Sequence, residues 1–124
     1  NSMRLEGDFY KVHTIEQVED NYKIEVELFE DHPVYKGHFP QQPVVPGVCT
    51  LTVIKECIGK ILSDNVSFSS IKECKYVSAL IPQQGLRIII NLAIADGDKV
   101  NATVVRVDNQ QLVLKLKASL KSYE

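Results

Sequence analysis

One proline-rich stretch of the chain carries residues whose types and spacing suit chemistry; it runs Gly37-His38-Phe39-Pro40-Gln41-Gln42-Pro43-Val44-Val45-Pro46-Gly47-Val48. His38 supplies an imidazole, whose ordinary pKa of about 6.5 allows it to remove a proton near neutral pH. Gly47 lies in the first turn of a predicted helix, where unpaired N–H groups and a partial positive charge can polarise a carbonyl. A glycine also lets a ligand approach the backbone closely, and Phe39 can shield the reacting groups from water. The stretch therefore predicts proton abstraction beside a polarised carbonyl.

A helix over residues 47–62 is predicted to position this chemistry, because apolar residues recur there at helical spacing. Pro46 is expected at the first helical position, where its missing N–H would be unpaired in any case. Thr52 and Glu56 lie on the polar side of the helix, and Ser63-Asp64-Asn65 ends it. The predicted apolar face consists of Leu51, Ile54, Ile58, Ile61 and Leu62.

The remaining segments have the alternation of strands. Residues 9–28 predict an antiparallel hairpin, because Ile24, Val26 and Leu28 alternate with charged residues after a turn at Glu19-Asp20-Asn21. Four more strands are predicted at 66–77, 86–95, 100–107 and 112–120, with turns at Asp96-Gly97-Asp98 and Asp108-Asn109-Gln110.

These elements predict one α+β domain over residues 3–124, in which an antiparallel sheet wraps around one long central helix. A single helix cannot cover both faces of such a sheet, so we expect a homodimer. Asn1 and Ser2 precede Met3 and are expected to be a remnant added before the natural start.

The composition of the chain argues against several classes of protein. The formal net charge is -2 and no run of Lys or Arg occurs, which argues against nucleic-acid binding. No apolar run reaches the roughly 18 residues that a membrane span needs. Three cysteines without a CxxC pair favour a reducing, cytoplasmic setting over a disulfide framework, and Cys49 and Cys57 are expected to pack the helix. His32 and His38 have no third ligand at a recognisable spacing, so no metal site is predicted.

The stretch over 37–48 resembles the signature of the 3-hydroxyacyl-[acyl-carrier-protein] dehydratases, HFPxxPxxPGV, which leads into the central helix of a hotdog fold. The resemblance continues more loosely through Lys75-Tyr76-Val77-Ser78-Ala79-Leu80-Ile81-Pro82, and the order of elements fits the hotdog fold over nearly the whole chain. It implies that His38 is the catalytic base, that the Val44 carbonyl orients it, and that the Gly47 N–H binds the thioester carbonyl. No cofactor is implied, since phosphopantetheine of an acyl carrier protein carries the substrate.

The family places a catalytic Glu or Asp fourteen residues after the histidine, and here that position is Thr52. A threonine hydroxyl cannot act as a carboxylic acid near neutral pH. Glu56 lies one turn of about 5.4 Å further on, so we hypothesise that Glu56 or an ordered water replaces the missing acid. His38 and Glu56 are thus the predicted catalytic residues. The predicted substrate contacts are Phe39, Val44, Gly47, Val48 and Thr52.

The resemblance implies dehydration of 3-hydroxyacyl-[acyl-carrier-protein] thioesters to trans-2-enoyl thioesters, in fatty acid or related polyketide-type biosynthesis. The expected partners are acyl carrier protein and a second copy of this chain, in a homodimer or a higher oligomer of dimers, with a heterodimer with another hotdog subunit as a further option. One alternative function is a non-catalytic or partner-dependent hotdog subunit that binds acyl carrier protein or pairs with a competent subunit that supplies the acid. Another alternative is an acyl thioesterase, because hotdog folds also host thioester hydrolysis.

Overall fold

A computed structural model describes residues 4–36 and 43–123. Six strands form one antiparallel sheet in the order β1-β2-β4-β5-β6-β3, and one α-helix packs against it. The elements are β1 (Tyr10–Val18), β2 (Asn21–Leu28), a 3-10 turn (Pro33–Lys36), α1 (Gly47–Leu62), β3 (Val66–Tyr76), β4 (Arg87–Ala95), β5 (Lys99–Arg106) and β6 (Leu112–Ser122). This is the α+β hotdog architecture that the sequence predicts.

Alternation along the strands gives the sheet one apolar face, which covers the helix. In β4 the side chains of Ile88, Ile90 and Leu92 are buried, whereas the intervening Asn91 is exposed. The register places Ile24 of β2 opposite Ile90, so that the apolar rows continue from strand to strand. The helix therefore lies inside the curve of the sheet, and the polar rows face away from it.

The end of α1 at Ser63 confirms the prediction, but the role of Pro46 at its start differs. Pro46 is the N-cap rather than the first helical residue: its φ of -61° and ψ of 139° are extended, and the helix begins at Gly47. At the other end, Ser63 adopts a left-handed conformation with φ 52°, and its N–H donates to the carbonyl of Gly59.

The buried face of α1 is also rotated from the predicted one. Leu51 and Ile61 are only half-buried, and Leu62 is exposed, although Ile54 and Ile58 are buried as predicted. The side chains that α1 buries are all small or β-branched, which a choice by hydrophobicity alone does not favour. The buried residues of the helix are Cys49, Thr50, Val53, Ile54, Cys57 and Ile58. The prediction that Cys49 and Cys57 pack the helix is confirmed.

Two strands end the sheet, β1 on one side and the eleven-residue β3 on the other. An edge strand presents unpaired backbone N–H and C=O groups to a neighbouring chain. Large apolar side chains are exposed along and just beyond β3, at Ile71, Tyr76 and Val77. No helix within 4–36 and 43–123 is long and apolar enough to cross a membrane.

Candidate active site

A groove of about 420 Å³ lies at the N-terminal end of α1. Its walls come from the segment that leads into the helix, from the end of β3 with the loop that follows, and from β6. The lining residues are Val44, Val45, Gly47, Val48, Thr50, Tyr76, Val77, Ser78, Ala79, Leu80, Val113 and Leu114. Three predicted substrate contacts, Val44, Gly47 and Val48, are thus brought together.

Backbone donors at the start of α1 face this groove without an intrahelical partner. The carbonyl of Pro46 accepts the N–H groups of Cys49 at 3.0 Å and Thr50 at 3.3 Å. Within the described part of the chain, no side chain caps the helix. Among the residues that the structure describes, none accepts the N–H groups of Gly47 and Val48, which can therefore bind a ligand at the end of the helix that carries partial positive charge.

Three hydrogen bonds hold the walls of the groove together. The N–H of Val45 donates to the carbonyl of Leu80 at 2.8 Å, which fixes the entry to the helix against the loop after β3. The hydroxyl of Ser78 donates to the carbonyl of Leu112 at 2.7 Å, and the N–H of Val77 donates to the carbonyl of Val113 at 2.8 Å. The site is therefore built on the sheet rather than on a free loop.

Tyr76, to which sequence reasoning gave no role, covers Gly47. A Cβ added to Gly47 would lie 2.3 Å from Cε1, 2.6 Å from Cζ and 2.9 Å from the hydroxyl oxygen of Tyr76. The missing side chain of Gly47 thus makes room for the Tyr76 ring. From the sequence, the same glycine was expected to make room for a ligand. The only signal for this contact was that both residues belong to the segments that carry the family resemblance.

His38 and Phe39 lie outside the described residues. The chain on both sides of them is placed at the groove end of α1: Val44 lines the groove, and Tyr35 is buried near Cys49 in the first turn. Burial, and then the nearby Cys49 thiol, raise the pKa of Tyr35 to about 12.

The other two histidines make structural contacts. The ring of His32 packs edge-on against Phe9 at 5.3 Å and accepts a hydrogen bond from the N–H of Val34 at its Nδ1. His13 pairs with Glu27 at 2.8 Å. Neither ring lines the groove.

Thr52 does not line the groove either. Its hydroxyl donates to the carbonyl of Val48, one turn earlier in the same helix, at 2.9 Å. Its oxygen keeps an acceptor site, but its proton is used by the helix backbone.

Glu56 borders a different cavity, of about 450 Å³, together with Lys60 and Tyr123. Its Oε2 accepts the N–H of Leu5 at 2.9 Å. Its Oε1 accepts the N–H of Glu6 at 3.1 Å, and the Leu5 N–H also lies 3.2 Å from that oxygen. The carboxylate therefore binds the segment that precedes β1.

Tyr10 completes the surroundings of Glu56 by donating its hydroxyl to Oε1 at 2.9 Å. Burial of this tyrosine, followed by the nearby Cys57 and by the bond to Glu56, raises its pKa well above the ordinary value. Burial likewise raises the pKa of the Cys57 thiol to about 12. Both groups stay protonated near neutral pH, so the phenol remains a donor to the carboxylate.

Comparison with known proteins places the chain among dehydratases. The model of the ApeI-like family, described as ApeI dehydratase, matches residues 14–117. Three solved structures share the fold. The ApeI:P dehydratase heterocomplex from Xenorhabdus doucetiae is 23% identical with a TM-score of 0.74, and the match covers 88% of this chain and 95% of that one.

The second structure is an uncharacterized protein from Erwinia carotovora subsp. atroseptica, 21% identical with a TM-score of 0.65, covering 90% of this chain and 92% of that one. The third is the dehydratase domain from the CurF module of curacin polyketide synthase, 13% identical with a TM-score of 0.60, covering 91% of this chain and 42% of that one. Because the family model spans most of the sequence, this chain belongs to the ApeI-like dehydratase family.

Proposed function

We propose that this protein dehydrates 3-hydroxyacyl thioesters, carried on acyl carrier protein, to trans-2-enoyl thioesters. The observation that carries the proposal is the groove at the start of α1, where the N–H groups of Gly47 and Val48 are left for a ligand in a chain of a dehydratase family. The HFPxxPxxPGV resemblance adds a histidine nine residues before that glycine.

In the proposed reaction His38 removes a proton from C2 of the substrate. The electron pair of that C–H bond moves towards the thioester carbonyl, whose oxygen gains negative charge. The N–H of Gly47 and the dipole of α1 stabilise this charge. The C3–O bond then breaks, and the departing hydroxyl takes up a proton and leaves as water. Phe39 is proposed to shield these steps from solvent.

The proton that the departing hydroxyl takes up has two candidate donors. Glu56 remains the prediction from the sequence, but within this protomer its carboxylate holds three donors and borders a cavity other than the groove. To act as the acid, Glu56 would have to be protonated, which weakens it as an acceptor for these three donors, and it would have to reach the groove. An ordered water held by Thr52 is the other source predicted from the sequence.

Assembly through the β3 edge fits the same function. The eleven residues of β3 can pair with another strand, and the exposed Val48, Tyr76 and Val77 lie where such a partner would meet the groove. We expect a homodimer to form there. A second candidate is a subunit that depends on a different hotdog partner for its acid, because Thr52 occupies the family's acid position and the related ApeI is described in a heterocomplex.

The test is a turnover assay on a 3-hydroxyacyl thioester of acyl carrier protein, with the product followed by mass spectrometry. We expect the wild type to remove one water and His38→Ala to remove none. His13→Ala is the matched control, since that histidine pairs with Glu27 away from the groove.

The possible products separate the candidate functions. Release of the free acid would identify a thioesterase. Turnover that appears only after another hotdog subunit is added would identify the partner-dependent role.

A further inference from the structure

Tyr76 ends β3, and its ring lies against the first residue of α1. The hydroxyl oxygen is 2.9 Å from the point that a Cβ of Gly47 would occupy, so the phenol sits beside the backbone whose N–H is proposed to bind the thioester carbonyl. Tyr76 is 58% exposed and lines the groove, so a ligand bound there can contact its side chain.

The other hydroxyls near this end of α1 are less able to donate to a ligand. Ser78 donates to the carbonyl of Leu112, and Thr52 donates to that of Val48. Thr50 is 4% exposed. Tyr76 has the thiol of Cys74 as a neighbour, and a thiol is a weak partner that a carbonyl oxygen can replace.

We propose that the Tyr76 hydroxyl is a second donor to the thioester carbonyl, acting beside the Gly47 N–H. This inference rests on the proposed dehydratase function and adds a residue to it. When His38 removes the C2 proton, charge develops on the carbonyl oxygen, and two donors stabilise that charge better than one. Tyr76 gains and loses no proton in this role.

Two properties of the phenol suit such a donor. Desolvation, and then the neighbouring Cys74 thiol, raise the pKa of Tyr76, so the proton is present near neutral pH. The backbone of Tyr76 is also fixed by the sheet: Tyr76 pairs with Leu114 of β6, and the N–H of the next residue, Val77, donates to the carbonyl of Val113. The hydroxyl thus extends from a rigid element, as a preorganised donor requires.

Tyr76→Phe is the decisive variant, because it removes the hydroxyl and keeps the ring over Gly47. Loss of one donor to a developing oxyanion ordinarily lowers kcat about 10²–10³-fold. We expect kcat to fall by about that factor with KM changed far less, since the bond strengthens as charge develops. Tyr123→Phe is the matched control, because that tyrosine borders the cavity at the far end of α1.

A second measurement does not depend on turnover. A non-hydroxylated acyl-pantetheine thioester, labelled with ¹³C at its carbonyl, is bound to the wild type and to Tyr76→Phe. Loss of the donor should raise the carbonyl stretching frequency in the variant, and Tyr123→Phe should leave it unchanged. A ring that only covers Gly47 would give the same frequency in the wild type and in Tyr76→Phe.

The outcomes distinguish this inference from the function on which it rests. Full turnover and an unshifted carbonyl in Tyr76→Phe would overturn the role of the hydroxyl and leave the dehydratase proposal standing. Absence of dehydration by the wild type, alone and with a hotdog partner, would overturn both. If Tyr76→Ala loses activity while Tyr76→Phe retains it, the ring matters and the hydroxyl does not, which also contradicts the proposal.

Discussion

Replacing Glu56 with Gln is expected to loosen the attachment of the N-terminal segment to α1. The carboxylate accepts hydrogen bonds from Leu5, Glu6 and Tyr10. In the variant, the amide oxygen can replace Oε1 and still accept from Glu6 and Tyr10, but the NH₂ group then replaces Oε2 and faces the N–H of Leu5, which is also a donor. One charge-assisted bond is lost, and the remaining ones become neutral.

The magnitude follows from these three donors. A hydrogen bond to a charged group contributes about 1.5–3 kcal/mol, and one between neutral groups about 0.5–1.5 kcal/mol. Losing the bond to Leu5 and weakening those to Glu6 and Tyr10 would sum to more than 3 kcal/mol. Glu56 is only half-buried, so water can replace part of the loss, and we expect a decrease of about 2–3 kcal/mol in the free energy of unfolding.

Urea denaturation measures this change, and amide hydrogen exchange of Leu5 and Glu6 locates it. We expect both amides to lose protection in Glu56→Gln, because their shared acceptor is weakened. Glu16→Gln, in the exposed part of β1, is the control and should leave stability within about 0.5 kcal/mol of the wild type. Unchanged stability and protection in Glu56→Gln would refute the structural role, and lost turnover in such a stable variant would instead support Glu56 as the acid.

Three further predictions concern other contacts. Gly47→Ala should abolish most activity while shifting stability little, because its Cβ displaces the exposed Tyr76 ring; activity and thermal unfolding measured together check this. The native Cys57 thiol should resist a thiol reagent that modifies it after unfolding, because it is buried and burial raises its pKa to about 12; labelling followed by mass spectrometry checks this. The hydrogen bond from His13 lowers the pKa of Glu27 below 4.5. This bond therefore stabilises the fold above pH 4.5, and the stabilisation is lost as the pH falls through the lowered pKa. The difference in free energy of unfolding between the wild type and His13→Ala, measured across this pH range, should shrink in acid.

Local signals predicted the elements of this fold well. The turn at Glu19-Asp20-Asn21 and the alternation after it gave the β1–β2 hairpin, which the structure confirms. The hairpin turn at Asp96-Gly97-Asp98 is also confirmed, with positive φ at Asp96 and Gly97, where Asp and Gly are tolerated. Each of these features depends on a few neighbouring residues, which is why the sequence suffices to predict them.

The buried side of α1 was harder to predict, because it depends on where the sheet lies. Hydropathy favoured Leu51 and Leu62, whereas the structure buries the smaller Thr50 and Cys57. Small side chains let β-strands approach a helix closely, and large ones at the margin of the contact remain partly exposed. Helical spacing therefore predicted that one face of α1 is buried, but it did not predict which residues around the helix axis form that face.

The same limit explains the different outcomes for Glu56 and Tyr76. Spacing along the helix put Glu56 one turn after Thr52, yet its partner Leu5 lies 51 residues away and no local pattern encodes that bond. Tyr76 reaches Gly47 only because β3 returns along the helix to form the edge of the sheet. In both cases the fold, rather than spacing along α1, decides which residues each side chain meets. A search for the missing acid of this chain should therefore begin with residues on β3, before those spaced along the helix.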